Sequence, residues 1–266
     1  MDAGKVKGEI LCMEGTCRIL LVAPHAFNGD SRRNLGQDDH NTGKLTREMA
    51  GQFGFYAVIN ERYKRVSALS QVDIDQGFID CNRMDQVKAH LKAPFLDKVL
   101  QFKDEIVSKG YGDPLVIHIH GANDSSFDTY TSTFKGLGSP AILIGYGQGM
   151  PGKSRLTATE ALVDLLITSL TGQNGTGMQA VKTAPNYTNY CGRGPNNLNQ
   201  LFRGRAHCDP TVQSIQLEIK RADRAAHRLA QTTQILGSAL SQLAGGRDQT
   251  TKDSLPPGRR GAEKRG

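Results

Sequence analysis

Two histidines, His118 and His120, close an apolar run, Leu115-Val-Ile-His-Ile-His-Gly-Ala-Asn-Asp124. On a strand, residues two apart point to the same face. The apolar start buries such a strand in a sheet. Its polar end then lies at the carboxyl edge, where open α/β folds bind ligands. Two imidazoles on one face at that edge call for a metal ion or a hydrogen-bonded polar network. Other residues point to the same chemistry. His25 ends a second apolar run, and the loop behind it supplies Asp38, Asp39 and His40. Glu218 lies on a third run, Ser214 to Ile219. A catalytic zinc takes three His or Asp/Glu ligands and leaves one position for water. A carboxylate beside that water acts as general base. His25, one of Asp38 and Asp39, and one of His118 and His120 fit the ligand role, and Glu218 fits the base. An arginine such as Arg83 pairs bidentately with a substrate carboxylate. Gln216 shares the strand face of Glu218 and is a candidate substrate-binding residue. Taken singly, each residue is ordinary: lone histidines are usually structural, and Asp80-Cys-Asn-Arg83 can be a helix cap. Their common place at strand ends is what argues for a site.

These groups need elements to hold them. Cys17 to His25 is a strand with a short apolar core. Leu45, Met49 and Phe53 share one stripe of a helix over Thr42–Phe53, which Gly54 ends. Phe55 to Asn60 is a strand, and the polar stretch 62–78 is irregular. Gln86 to Lys109 is helical, interrupted near Pro94. After the His118 strand, Asp124 to Gly138 is a Ser/Thr/Asp-rich loop. Pro140–Gly145 is a strand, Thr157–Leu170 a helix, and Val181–Pro185 a short strand. Asn186 to Arg205 is a long Asn- and Gly-rich loop. Ser214–Ile219 is a strand and Arg221–Leu243 a long helix. This order predicts an α/β fold, a mixed, largely parallel sheet with helices on both faces. The expected organisation is an N-terminal extension over 1–16, a single α/β hydrolase domain over 17–244, and a disordered basic tail over 245–266.

Composition narrows the class. The 266 residues suit one large domain. No apolar run approaches the roughly twenty residues of a membrane span, and the first residues lack the apolar core of a secretory signal. Five scattered cysteines form no disulfide framework. A reduced, cytoplasmic setting is expected. The net charge of +7 suits an anionic substrate. Part of it lies in the tail, and without interleaved aromatics it does not argue for nucleic acid. The C-terminal helix offers a face for an oligomer.

Two further motifs compete. Gly147-Gln-Gly-Met-Pro-Gly-Lys-Ser154 fits the phosphate-binding pattern G-x-x-x-x-G-K-[ST] between a strand and a helix. It makes a P-loop nucleotide-binding protein the alternative reading. Against it, Pro151 lacks an N–H where the loop should cradle phosphate, and a P-loop gives no reason for the strand-end histidines. Cys191, His207 and Cys208 match no closed zinc spacing.

The series Pro24-His25, Asp39 with Thr42 and Leu45, Asp80-x-Asn82-Arg83, Ile117-x-x-His120-Gly121, Ile142-Leu-Ile-Gly145 and Ile215-Gln216-Leu-Glu218-Ile resembles the N-formylglutamate amidohydrolase family. It covers most of residues 17 to 220. The resemblance implies a phosphorylase/hydrolase-like, zinc carboxypeptidase-like fold and a zinc-dependent amidohydrolase acting on an N-acyl amino acid or peptide with a free carboxylate. It implies His25, Asp39 and His120 as zinc ligands, with Glu218 as the base. It implies Asn82 and Arg83 as binders of the substrate's carboxylate or carbonyl, with a further arginine at Arg62 or Arg65. The chain departs from the family at His118, where an acid is usual, and at Gly121, where a serine is usual. His118 is expected to support a ligand or compete for the metal. A non-catalytic binder of acidic peptides is the third reading.

Overall fold

The computed structural model describes residues 10–26, 39–62, 80–84, 89–134, 138–172, 177–185, 187 and 190–245. Asp38, Arg65 and the basic tail beyond Gly245 lie outside the described residues. Seven strands form one sheet in the order β1-β3-β2-β4-β7-β5-β6. They are β1 (Ile10–Met13), β2 (Ile19–Ala23), β3 (Tyr56–Asn60), β4 (Leu115–Ala122), β5 (Ile142–Gly145), β6 (Ala180–Lys182) and β7 (Gln213–Lys220). The α-helices are α1 (Thr42–Phe53), α2 (Ala89–Ser108), α3 (Asp124–Thr133), α4 (Glu160–Thr171) and α5 (Leu229–Gly245). The sheet is mixed and largely parallel: only β1–β3 and β5–β7 pair antiparallel.

β2, β4 and β7 are adjacent and mutually parallel, so their carboxyl ends reach one edge at the middle of the sheet. Their alternate residues separate two cores. Ile19, Leu21, Ile117, Ile119, Ile215 and Leu217 pack with residues of α1, α4 and α5. Leu20, Val22 and Val116 pack on the other face with Phe95, Val99, Phe102 and Ile106 of α2 and with Leu198, Leu201 and Phe202. On that second face β4 changes from apolar Val116 to polar His118 and His120 toward the carboxyl edge, and β7 presents the polar Ser214, Gln216 and Glu218. Strands buried on both faces need near-continuous apolar sequence, and a polar residue at their ends is the exception that marks a site.

The structure corrects five expectations. Ile10–Met13, placed in an extension, adds an antiparallel edge strand to β3. Helix α2 runs through Pro94; only one turn precedes it, so the missing N–H removes a single early hydrogen bond. Residues 124–133 are helical, not a loop. Phe127 and Tyr130 supply the buried face. The hydroxyls of Thr129, Thr131 and Thr133 bond back to carbonyls one turn earlier, at 2.9, 2.8 and 2.8 Å, which satisfies side chains that otherwise compete with a helix. Helix α4 starts at Glu160 rather than Thr157, with Thr159 as its cap. The last helix starts at Leu229, not Arg221. Its apolar stripe packs on α1 and α4, so burial within the chain accounts for it. Helix α1 matches its expected bounds, and Gly54 ends it in the left-handed conformation at φ 68°.

Candidate metal centre

β2 delivers His25 two residues beyond its last hydrogen-bonded position. Asn60, at the end of β3, holds the approach by donating from Nδ2 to the Pro24 carbonyl at 2.7 Å. The chain returns at Asp39, whose N–H donates to the His25 carbonyl at 3.1 Å. β4 delivers His118 and His120, which pair in register with Gln216 and Glu218 of β7. His25, Asp39, His118, His120, Gln216 and Glu218 are all buried.

His25, Asp39 and His120 converge. Asp39 Oδ2 lies 3.3 Å from His25 Nδ1 and 3.3 Å from His120 Nδ1. One ligand atom from each residue lies within 4.8 Å of the other two, the only such group among the described residues. The two imidazoles meet edge to face, with centroids 4.9 Å apart. His25 Nδ1 and Asp39 Oδ2 are buried and make no hydrogen bond, despite their proximity. Donors about 2.0–2.2 Å from a tetrahedral zinc lie roughly 3.3–3.6 Å apart, which matches both contacts. Two imidazoles and a carboxylate are also the donor set of a catalytic zinc. The residues fit the metal.

Asp80 completes the support. His25 Nε2 lies 2.8 Å from Asp80 Oδ1, and the Asn82 N–H donates to the same oxygen at 2.9 Å. A carboxylate on the far nitrogen fixes the ring of a metal-binding histidine. Burial works against a charge on His25, but Asp39 and Asp80 override it and push its pKa up to about 9. Burial raises the Asp39 carboxyl; His120 and His25 outweigh it and hold the group well below the usual carboxylate range.

Glu218 lies beside His120 across the strand pair. Gln216 Nε2 donates to Glu218 Oε1 at 2.6 Å. The amide N–H₂ of Gln216 is therefore engaged with the carboxylate. The turn over residues 80–83 places Asn82 half-buried and Arg83 exposed. Backbone bonds from Leu198 to Asn82 at 2.8 Å and from Met84 to Asn196 at 2.6 Å hold that turn.

His118 belongs to a different network. Thr157 Oγ1 donates to the Ser214 carbonyl at 2.6 Å and accepts from Asn199 Nδ2 at 3.0 Å. This fixes the Asn199 amide, so its oxygen takes the Ser214 hydroxyl proton at 2.8 Å. Ser214 Oγ has only acceptor capacity left. His118 Nε2, 2.9 Å away, must carry the proton. Burial and the neighbouring His120 push the His118 pKa down to about 3. His118 is thus a neutral donor to the sheet interior and lies outside the converging group.

Sequence reasoning gave no role to Asp80, although it stands in the Asp-x-Asn-Arg motif. It also missed Arg224, buried behind the site, and Tyr190, whose hydroxyl feels both Glu218 and Asp39. Neither lies at a strand end, so no pattern marked them. The Gly147–Ser154 loop lacks the helix that the P-loop pattern requires. No helix begins at Lys153 or Ser154. The N–H of Gly147 donates to the Cys191 carbonyl at 2.7 Å, Lys153 to Met150 at 2.8 Å and Arg155 to Gly147 at 2.7 Å. Within the loop, the amides of Gly147 and Lys153 are thus spent inside the chain and are not offered to a phosphate. Among the described residues, no helix is long and apolar enough to cross a membrane.

No protein-family model and no curated protein matches the chain. Solved structures do. N-formylglutamate amidohydrolase from Ralstonia eutropha JMP134 matches with a TM-score of 0.54 at 13% identity, covering 88% of this chain and 95% of that one. A gene product from Agrobacterium tumefaciens matches with a TM-score of 0.51 at 18% identity, covering 86% and 92%. The resemblance read from the sequence therefore holds at the level of architecture: the chain has the α/β fold of the N-formylglutamate amidohydrolase structure.

Proposed function

We propose that the protein is a zinc-dependent amidohydrolase that cleaves the amide bond of an N-acyl amino acid or peptide bearing a free carboxylate. The observation that carries this reading is the convergence of His25, Asp39 and His120 on one point, beside Glu218. The shared fold with an N-formylglutamate amidohydrolase supports the same class of substrate.

His25, Asp39 and His120 would hold the metal. Zinc there supplies Lewis acidity, lowering the pKa of a water and polarising the amide carbonyl. Asp80 keeps the His25 ring in the orientation that presents Nδ1. Glu218 takes the proton from the attacking water as it adds to the carbonyl carbon. Gln216 holds one oxygen of Glu218, which aims the carboxylate. When the C–N bond breaks, Glu218 returns that proton to the leaving nitrogen. The products are a carboxylic acid and an amine. Arg83, with Asn82 beside it in the chain, anchors the substrate carboxylate. A small anionic substrate suits this arrangement and the net positive charge.

The test is hydrolysis of a panel of N-acyl amino acids and short acidic peptides by the purified full chain. Amine release that stops on chelation and returns with zinc supports the reading. A zinc-loaded protein that cleaves none of them contradicts it.

A further inference from the structure

Arg224 carries one of the most deeply buried side chains in the molecule, 2% exposed, in the short turn between β7 and α5. A buried guanidinium needs its donors occupied and its charge offset. Nε donates to the Ile219 carbonyl at the end of β7 at 3.1 Å. One terminal nitrogen donates to the Ala122 carbonyl at the end of β4 at 3.4 Å. The other donates to the His40 carbonyl. The contact is returned: Asn41 Nδ2 donates to the Arg224 carbonyl at 2.8 Å. Burial disfavours the charge on Arg224, and the Asp39 and Glu218 carboxylates favour it.

The three acceptors come from the two strands that carry His120 and Glu218 and from the residue next to Asp39. We propose that Arg224 is a positioning residue of the metal centre, clamping the Asp39 loop to the ends of β4 and β7 so that the carboxylate meets both imidazoles. This rests on the metal-centre reading given above. Gly121 is the other half of the device. A Cβ at that position would fall on the guanidinium carbon of Arg224. The residue after His120 must therefore lack a side chain for the clamp to close. The lysine ammonium is a compact point charge and cannot reproduce a planar fork that reaches three carbonyls.

The test measures zinc affinity of the full-length chain and the visible spectrum of its cobalt(II) form. The variants are Arg224→Lys, Gly121→Ala, Asp39→Asn and the Arg224→Lys/Asp39→Asn pair. Loss of a group that orients a metal ligand costs about 10–100-fold in affinity. Arg224→Lys and Gly121→Ala are each expected to lose that factor and to shift the cobalt bands. On the Asp39→Asn background, Arg224→Lys is expected to cost little more, because the two act through one ligand. Gly121→Ala displaces the guanidinium without removing it, which keeps the test valid if Arg224→Lys folds poorly. Wild-type affinity and an unchanged cobalt spectrum in both variants overturn the role of Arg224 alone, as does an equal loss on both backgrounds. A wild-type chain that binds neither zinc nor cobalt overturns the metal centre and the clamp together.

Discussion

His120 and Glu218 are register partners on the adjacent parallel strands β4 and β7, so an imidazole of the converging group and a carboxylate stand side by side at the carboxyl edge. The pairing follows from sequence alternation. Each side chain is a polar residue near the carboxyl end of a strand whose other face is apolar, and parallel pairing brings the two level.

Glu218→Gln keeps the shape of the side chain and removes the base. Kcat is expected to fall by about 10²–10⁴-fold, the usual contribution of general acid–base catalysis, while zinc content is unchanged. Steady-state kinetics with metal analysis of the same sample checks this. A variant that retains full activity places the base elsewhere.

Asp80→Asn removes the charge that holds His25. Zinc affinity is expected to weaken by about 10–100-fold. The pH dependence has a definite sign. In metal-free protein His25 titrates at about 9, so at pH 7 zinc must displace a proton from it. Affinity therefore rises with pH up to about 9 and levels off above. Calorimetric titration in buffers of different ionisation enthalpy counts the released proton. Release should be smaller in Asp80→Asn.

His118 titrates far below its ordinary value, at about 3. A depressed histidine contributes stability that is complete above its unfolded pKa and lost as pH falls toward the folded one. Between about pH 6.5 and 4 the unfolded chain takes up a proton that the folded chain refuses, a slope near 1.4 kcal/mol per pH unit. His118→Gln keeps a donor for Ser214 and cannot titrate. Denaturant unfolding of metal-free protein across this range should show a shallower acid slope in the variant.

Arg83 is exposed, so its expected effect is on binding. Arg83→Ala should raise KM by roughly 10–100-fold for substrates with a free carboxylate, the cost of a hydrogen bond to a charged group. The corresponding methyl esters should be insensitive. Equal losses on acid and ester would assign Arg83 a structural role.

Much of this architecture was legible in the sequence. Apolar runs identified β2 and β4 and alternation identified β7, and polar residues toward their carboxyl ends include the ones the fold gathers. The choices between Asp38 and Asp39, and between His118 and His120, were not legible from spacing. His118 and His120 share a strand face; what separates them is the Thr157–Asn199–Ser214 network, assembled from distant segments. Residues 124–133 read as a loop because hydroxyls favour turns, and only the back-bonding of Thr129, Thr131 and Thr133 shows how a helix accommodates them. Arg224 carried no signal, since nothing local in its sequence announces a buried charge.

The central claim is that His25, Asp39 and His120 together hold one zinc ion. The direct measurement is the zinc content of the purified chain after dialysis against metal-free buffer, for wild type and His120→Ala. About one zinc per chain is expected in the wild type and its loss in the variant, with both remaining folded by circular dichroism. A wild-type chain that retains no zinc, or a His120→Ala variant that keeps it, contradicts the account.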